Sequence, residues 1–150
     1  MVKTKLKLIE ISGLSEEIHG LQDRQTGEKV QNGLLDEKLS LVQKYWLTDL
    51  GKKTKEVVDE VEPLRNEVIS KYGTTTPDGG IGISAIIEEK NEEGVVVSRT
   101  PNPNWDLFNK EYSDLMAQER DIEHQEFALN DFTDVKSENR YAIFQTLLKP

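Results

Sequence analysis

Cysteine is absent from the 150 residues, which excludes disulfides, thiolate metal sites and a cysteine nucleophile. Histidine occurs only twice, as His19 and His124, and neither stands at a metal-type spacing from other strong ligands. No zincin, P-loop or EF-hand signature is present, and no serine lies in a GxSxG elbow. No run approaches the roughly 18 apolar residues of a membrane span. The opening MVKTKLKLIEISG has basic residues but no uninterrupted apolar stretch and no small-residue cleavage site, so it does not read as a signal peptide. Positive charge is in deficit: 19 Lys and Arg stand against 28 Asp and Glu, for a net charge of -9. A general nucleic-acid binder draws its affinity from neutralising phosphates, so this balance argues against one. It suits a basic protein partner instead.

What remains is a polar chain, 35% hydrophobic and 31% charged, whose apolar residues must be gathered on a few faces. Its length predicts one domain over residues 1–150. In KTKLKLIEI (residues 3–11), Leu6 and Leu8 alternate with Lys5 and Lys7, a period of two that predicts a strand with one lysine-rich face. Gly13 is expected to end it, and LSEEIHGL (14–21) to form a short helix. Residues 22–33 are polar with two glycines and read as a loop or loose hairpin. Then Leu35, Leu39, Val42, Trp46, Leu50, Val57, Val61, Leu64, Val68 and Tyr72 recur mostly at three- and four-residue steps, with Thr54 in one wide gap. This predicts a helix of roughly 38 residues, about 57 Å long. Pro63 is expected to kink or split it, and Gly73 to stop it.

The turn-rich GTTTPDGG (73–80) leads into Ile81, Ile83 and Ala85 to Ile87, then Val95 to Val97. These are strand-like and joined by an acidic, glycine-ended connection, the pattern of a β-hairpin. Residues 74–103 are therefore expected to be a hairpin and loop insertion between two main helices. In TPNPN (100–104), Asn102 can cap a helix with Pro103 at its first position, or Asn104 can be the cap. Trp105, Phe108, Tyr112, Leu115, Met116 and Ile122 extend that helix to about Glu123, antiparallel to the long one. QEFALNDF (125–132) reads as a short strand for the N-terminal strand to pair with, and Ser137 as the cap of a last helix, ENRYAIFQTLLK. The fold class expected is mainly α (α+β): an antiparallel helical hairpin, a short two-stranded sheet and a projecting β-hairpin. The expected core is Val42, Trp46, Leu50, Val61, Leu64, Val68, Trp105, Phe108, Tyr112, Leu115 and Phe144.

Chemistry-bearing groupings are few. Glu119, Asp121, Glu123 and Glu126 could offer paired carboxylates, but acid–base work needs them in a cleft with separated pKa values, and they read as a solvated helix face. Lys52, Lys53 and Lys55 are followed at once by Glu56, Asp59, Glu60 and Glu62 and read the same way. GTTTPDGGIG has no lysine-serine or lysine-threonine pair and so is weak as a phosphate cradle. No catalytic, metal or cofactor-binding residue is predicted. Trp46 and Trp105 read as core, or as interface anchors, since tryptophan is enriched in binding hot spots.

Two stretches carry a resemblance: EPLRNEVISKYG, from Glu62 to Gly73, and FNKEYSDLMAQERDIE, from Phe108 to Glu123. With the lysine-rich strand before them and ENRYAIFQTLL after, the chain resembles a family of small, uncharacterised bacteriophage proteins encoded among tail and other structural genes. That resemblance spans about residues 34–150 and supplies no catalytic residues. It implies a non-enzymatic tail, neck or capsid-associated protein, made in the host cytoplasm and carried in the virion. It would act through contacts with other virion proteins or as a homo-oligomer. The other reading is a soluble assembly chaperone or acidic host-directed binder not retained in the particle. The expected contact residues are Ile81, Ile83, Ile86, Val95 and Val97 of the hairpin, which could add strands to a neighbour, with Leu6 and Leu8 of the first strand.

Overall fold

The computed structural model describes residues 1–135 and 140–150. It is a mixed α+β chain whose sheets, among the described residues, are all two-stranded. The chain divides into two compact units, residues 1–60 with 117–150, and residues 61–116.

In the first unit, β1 (Val2–Lys7) pairs antiparallel with β8 (Glu119–His124). The register sets Lys3 opposite Glu123, Lys5 opposite Asp121 and Lys7 opposite Glu119. All six side chains are exposed, so the solvent face is a basic ladder against an acidic one. Opposite charges across strands contribute roughly 0.2–1 kcal/mol per pair, and like charges destabilise. A one-residue slip would turn Leu6 and Ile122 outward, and both are buried. The expected partner of β1, residues 125–132, is therefore replaced by a segment assigned from the sequence to the end of a helix. Lys5→Glu should lower stability by about 0.5–2 kcal/mol, through one lost and one repulsive pairing. The double variant with Asp121→Lys should recover most of that loss in urea unfolding at low salt. No recovery would show that the ladder does not set the pairing.

Helix α1 (Leu8–His19) begins directly after β1, earlier than the 14–21 expected. Ile11, Leu14, Ser15 and Ile18 are its buried stripe, at steps of three and four that override the alternation ending at Leu8. The Glu10 carboxylate accepts the Lys7 backbone N–H at 3.0 Å and so satisfies a free donor at the helix start. Gly13 lies inside the helix rather than ending the strand, close against Ile143: a Cβ there would stand 2.5 Å from Ile143 Cδ1.

Two short strands, β2 (Leu21–Gln22) and β3 (Lys29–Gln31), form the hairpin anticipated within 22–33. Residues Leu34–Asp36 make a single 3-10 turn. Helix α2 (Leu41–Tyr72) then runs 32 residues with Pro63 inside it. It is shorter than expected because Ser40 starts it: Ser40 Oγ accepts the Gln43 N–H at 3.2 Å, an N-cap arrangement. The buried positions of α2 are Leu47, Leu50, Gly51, Thr54 and Val57. The stripe is thus one residue out of step with Val42 and Trp46, and Val42 is 64% exposed. The reason is the approach of α1. A Cβ on Gly51 would lie 2.9 Å from the His19 ring and 3.0 Å from Ile18 Cγ2, so the face that carries glycine is the one that packs.

Most of the remaining core is aromatic and comes from irregular segments. Strand β9 (Phe127–Ala128) pairs in parallel with β10 (Leu148–Lys149), and between them lie a 3-10 turn, Leu129–Phe132, and the four-residue helix α4 (Ala142–Gln145). The Phe127 ring lies 5.3 Å from Phe144 and 5.8 Å from Phe132, and Phe132 lies 5.0 Å from Phe144. Tyr141, also buried, donates its hydroxyl to Glu37 Oε1 at 2.8 Å. Burial first, then that carboxylate, pushes the Tyr141 hydroxyl pKa up. Both Glu17 oxygens cap α4, accepting from Ile143 N at 2.9 Å and Phe144 N at 2.8 Å. Burial outweighs these hydrogen bonds and raises the Glu17 pKa. Among the described residues the long terminal helix expected is one turn only, and its proposed cap Ser137 lies outside them.

In the second unit, β4 (Thr74–Thr75) pairs with β5 (Ile81–Gly82), and β6 (Ile86–Lys90) pairs with β7 (Val96–Pro101). Helix α3 (Pro103–Met116) follows. It ends at Met116 rather than near Glu123. Of the core residues expected in this unit, Phe108 is buried, Leu64 is exposed, and Val61, Val68, Trp105, Tyr112 and Leu115 are half-buried. Phe108 stacks on Tyr112 and meets Trp105 at a tilt of 40°, each at 5.6 Å.

Candidate functional site

The β6–β7 hairpin is built from its turn outward. Asn91 Oδ1 accepts the backbone N–H groups of Glu93 and Val95, each at 3.0 Å, and Gly94 supplies the positive φ of 81° that side chains resist. The strands pair from Ile86 opposite Pro101 to Lys90 opposite Val96. The register shifts after Glu89, so Val97 has no cross-strand partner and is 61% exposed. Glu88 and Arg99 face each other and form an ion pair at 3.3 Å.

Asn102 fixes the base. Its Nδ2 donates to the Ser84 carbonyl at 2.9 Å, and its backbone N–H donates to the Ala85 carbonyl at 2.9 Å. Its Oδ1 accepts the Asn104 N–H at 3.0 Å, capping α3 with Pro103 first in the helix. One side chain therefore closes the hairpin and starts the helix. Only the second of these roles was readable beforehand.

The predicted contact residues divide by location. Ile81, Ile86, Val95 and Val97 are more than half exposed, and Ile83 is half-buried. Ile87, not singled out from the sequence, is 43% exposed. It lines, with Tyr72, Thr76, Ile83, Ile86 and Asn104, a cleft of about 530 Å³. Leu6 is buried in the first unit, and Leu8 is half-buried at the start of α1. Within the second unit, Lys71 reaches Glu111 at 3.1 Å. The Tyr72 hydroxyl and then the Lys71 ammonium hold the Glu111 carboxyl below the usual carboxylate range.

Both histidines are engaged in structure. A carbonyl only accepts, so the Gln125 carbonyl at 2.7 Å places a proton on His124 Nδ1, and Nε2 then accepts from the Thr4 hydroxyl at 2.8 Å. By the same rule His19 Nε2 donates to the Gly51 carbonyl at 3.1 Å. Among the described residues no group of three or more His, Asp or Glu could hold a metal ion. No helix among them is long and apolar enough to cross a membrane. No family model, curated protein or solved structure matches the chain.

Proposed function

We propose that the protein is a non-enzymatic binding component of a bacteriophage particle, a tail, neck or capsid-associated subunit, that docks through the β6–β7 hairpin. The observation that carries the reading is the hairpin itself. It is a two-stranded ribbon with both edges open within its sheet and with Ile86, Ile87, Val95 and Val97 exposed. Isolated two-stranded ribbons are marginal in water, and open edges are templates for another strand. The particle setting rests on the resemblance carried by residues 62–73 and 108–123. In the same reading α2 and α3 form an antiparallel helical hairpin that presents the ribbon. The Lys71–Glu111 ion pair and the Asn104 side-chain bond to the Tyr72 carbonyl at 3.4 Å support that arrangement.

The test is the pair Val95→Asp and Val97→Asp. Both sites are exposed, so unfolding stability should stay within about 0.5 kcal/mol of wild type. Incorporation into particles, read by peptide mass spectrometry against the major capsid protein, should be lost. Wild-type incorporation of the folded variant would overturn the hairpin's role. A second reading rests on the net charge of -9: an assembly chaperone for a basic partner, abundant in infected lysate and missing from purified particles even as wild type.

A further inference from the structure

We propose that Asn32–Gly33 is a self-modification site, held closed in the folded chain by Asp36 and opened when the Gly20–Gly33 crossing separates. Asparagine followed by glycine is the dipeptide whose side-chain amide is most open to its own backbone, because glycine puts no Cβ in the path of attack. Gly33 N attacks Asn32 Cγ, the new N–Cγ bond forms, the Cγ–Nδ2 bond breaks, and ammonia leaves with the proton of the attacking amide. Water then opens the five-membered imide at either carbonyl. The products are an aspartate, or an isoaspartate whose main chain runs through the former side chain. Overall, one amide and one water become one carboxylate and one ammonium.

The fold opposes the first step at the attacking atom. Gly33 N–H is bound to Asp36 Oδ2 at 2.9 Å. Asp36 is in turn held by the Lys29 ammonium, at 2.7 Å and 2.6 Å from its two oxygens. Arg140 Nη2 fixes the Asn32 carbonyl at 3.2 Å. Asn32 is exposed while Gly33 is buried, so water reaches the side-chain amide but the nucleophile is shut in.

The fold also rejects the imide and the isoaspartate. A Cβ on Gly33 would already lie 2.3 Å from Gly20 N and 2.5 Å from the Ile18 carbonyl. The imide nitrogen carries no hydrogen for Asp36, and isoaspartate lengthens the main chain by a methylene at this crossing. A chain that opens long enough to form isoaspartate does not close again in the same way. The site is an irreversible record of local opening in the first unit.

The experiment follows Asn32 in mildly alkaline buffer by peptide mass spectrometry, reading the gain of an oxygen in place of an NH group, with isoaspartate separated chromatographically. Wild type in urea should react at least about tenfold faster than the native protein, the scale set by a buried hydrogen bond. Asp36→Ala, checked as folded by circular dichroism, should approach the urea rate. Asp36→Asn keeps an oxygen for Gly33 N–H and should stay near the native rate. Equal rates in buffer and urea, or a folded Asp36→Ala as slow as wild type, would overturn the proposal. If Asp36→Ala does not fold, hydrogen exchange of the Gly33 amide in the native protein decides: protection is expected, and free exchange removes the basis for the gate.

Discussion

Gly33→Ala should destabilise the first unit by about 3 kcal/mol or more, at the upper end of overpacking costs. The obstacle is backbone, not a side chain that can swing away: the added methyl would meet Gly20 N at 2.3 Å, the Ile18 carbonyl at 2.5 Å and His19 C at 2.6 Å. Its counterpart Gly20 has φ 78° and ψ -174°, a region open almost only to glycine, where other residues carry a strain of roughly 1–3 kcal/mol. A Cβ there would also stand 2.3 Å from the Gln31 carbonyl. Gly20→Ala should therefore cost at least as much. Gly27 is the control: its φ is 72° with nothing within 4 Å of a built Cβ, so Gly27→Ala carries only the conformational penalty, about 1–2 kcal/mol. Urea unfolding of the three variants measures the difference. If Gly33→Ala loses no more than Gly27→Ala, the crossing is not the fixed point described.

Phe127→Ala should cost about 3–5 kcal/mol, the range for a fully buried aromatic reduced to alanine. Its ring is 1% exposed. It touches Phe132 and Phe144 edge-on and stacks on His124 at 5.8 Å with 10° between planes. Removing it opens a cavity among three rings, of which Phe132 and Phe144 belong to a one-turn 3-10 segment and a one-turn helix that cannot close up independently. Trp46 is the informative comparison. It is half-buried, so Trp46→Ala should cost less, about 1–2 kcal/mol, the lost transfer term without a sealed cavity. Equal losses at the two positions would place Trp46 in the core after all.

Periodicity carried the reading where elements are long. The hairpin, the start of α3 at Pro103, the long helix and Thr54 within its stripe were all legible as repeating steps or as turn chemistry. Besides the α2 stripe set one residue off, it misled at two element boundaries for one reason. In KLKLIEI the step changes from two to three at Leu8, and in DLMAQERDIE the six-residue step from Met116 to Ile122 breaks the helical spacing. Each change marks an element boundary that reads as continuity if the period is fixed in advance. The second error had a visible signal: Glu119, Asp121 and Glu123 recur at every second residue, as Lys3, Lys5 and Lys7 do, and two such ladders of opposite sign are matched strands. Of the aromatic core only Phe144 was legible: Phe127 and Phe132 sit in segments of two and four residues, and Tyr141 stands just before a one-turn helix, all too short to establish any period. At the candidate site, the exposed valines and isoleucines could be picked from the hairpin pattern. The clamp of Asn102 on Ser84 could not, since it depends on how the two ends of the ribbon meet.

The pairing of β1 with β8 has a consequence for synthesis. Residues 2–7 leave the ribosome long before residues 119–124, while the second unit, 61–116, is continuous and complete in between. The nascent first strand must wait, with its partner unmade, for the whole of that unit to be translated. During the wait it is an unpaired strand in a crowded cell, the kind of segment that aggregates. Three lysines along one face make it mutually repulsive to copies of itself on neighbouring nascent chains. The same charges then find Glu119, Asp121 and Glu123 when these emerge. The ladder that fixes the register of the finished sheet is also what keeps its first half unattached until the second half exists.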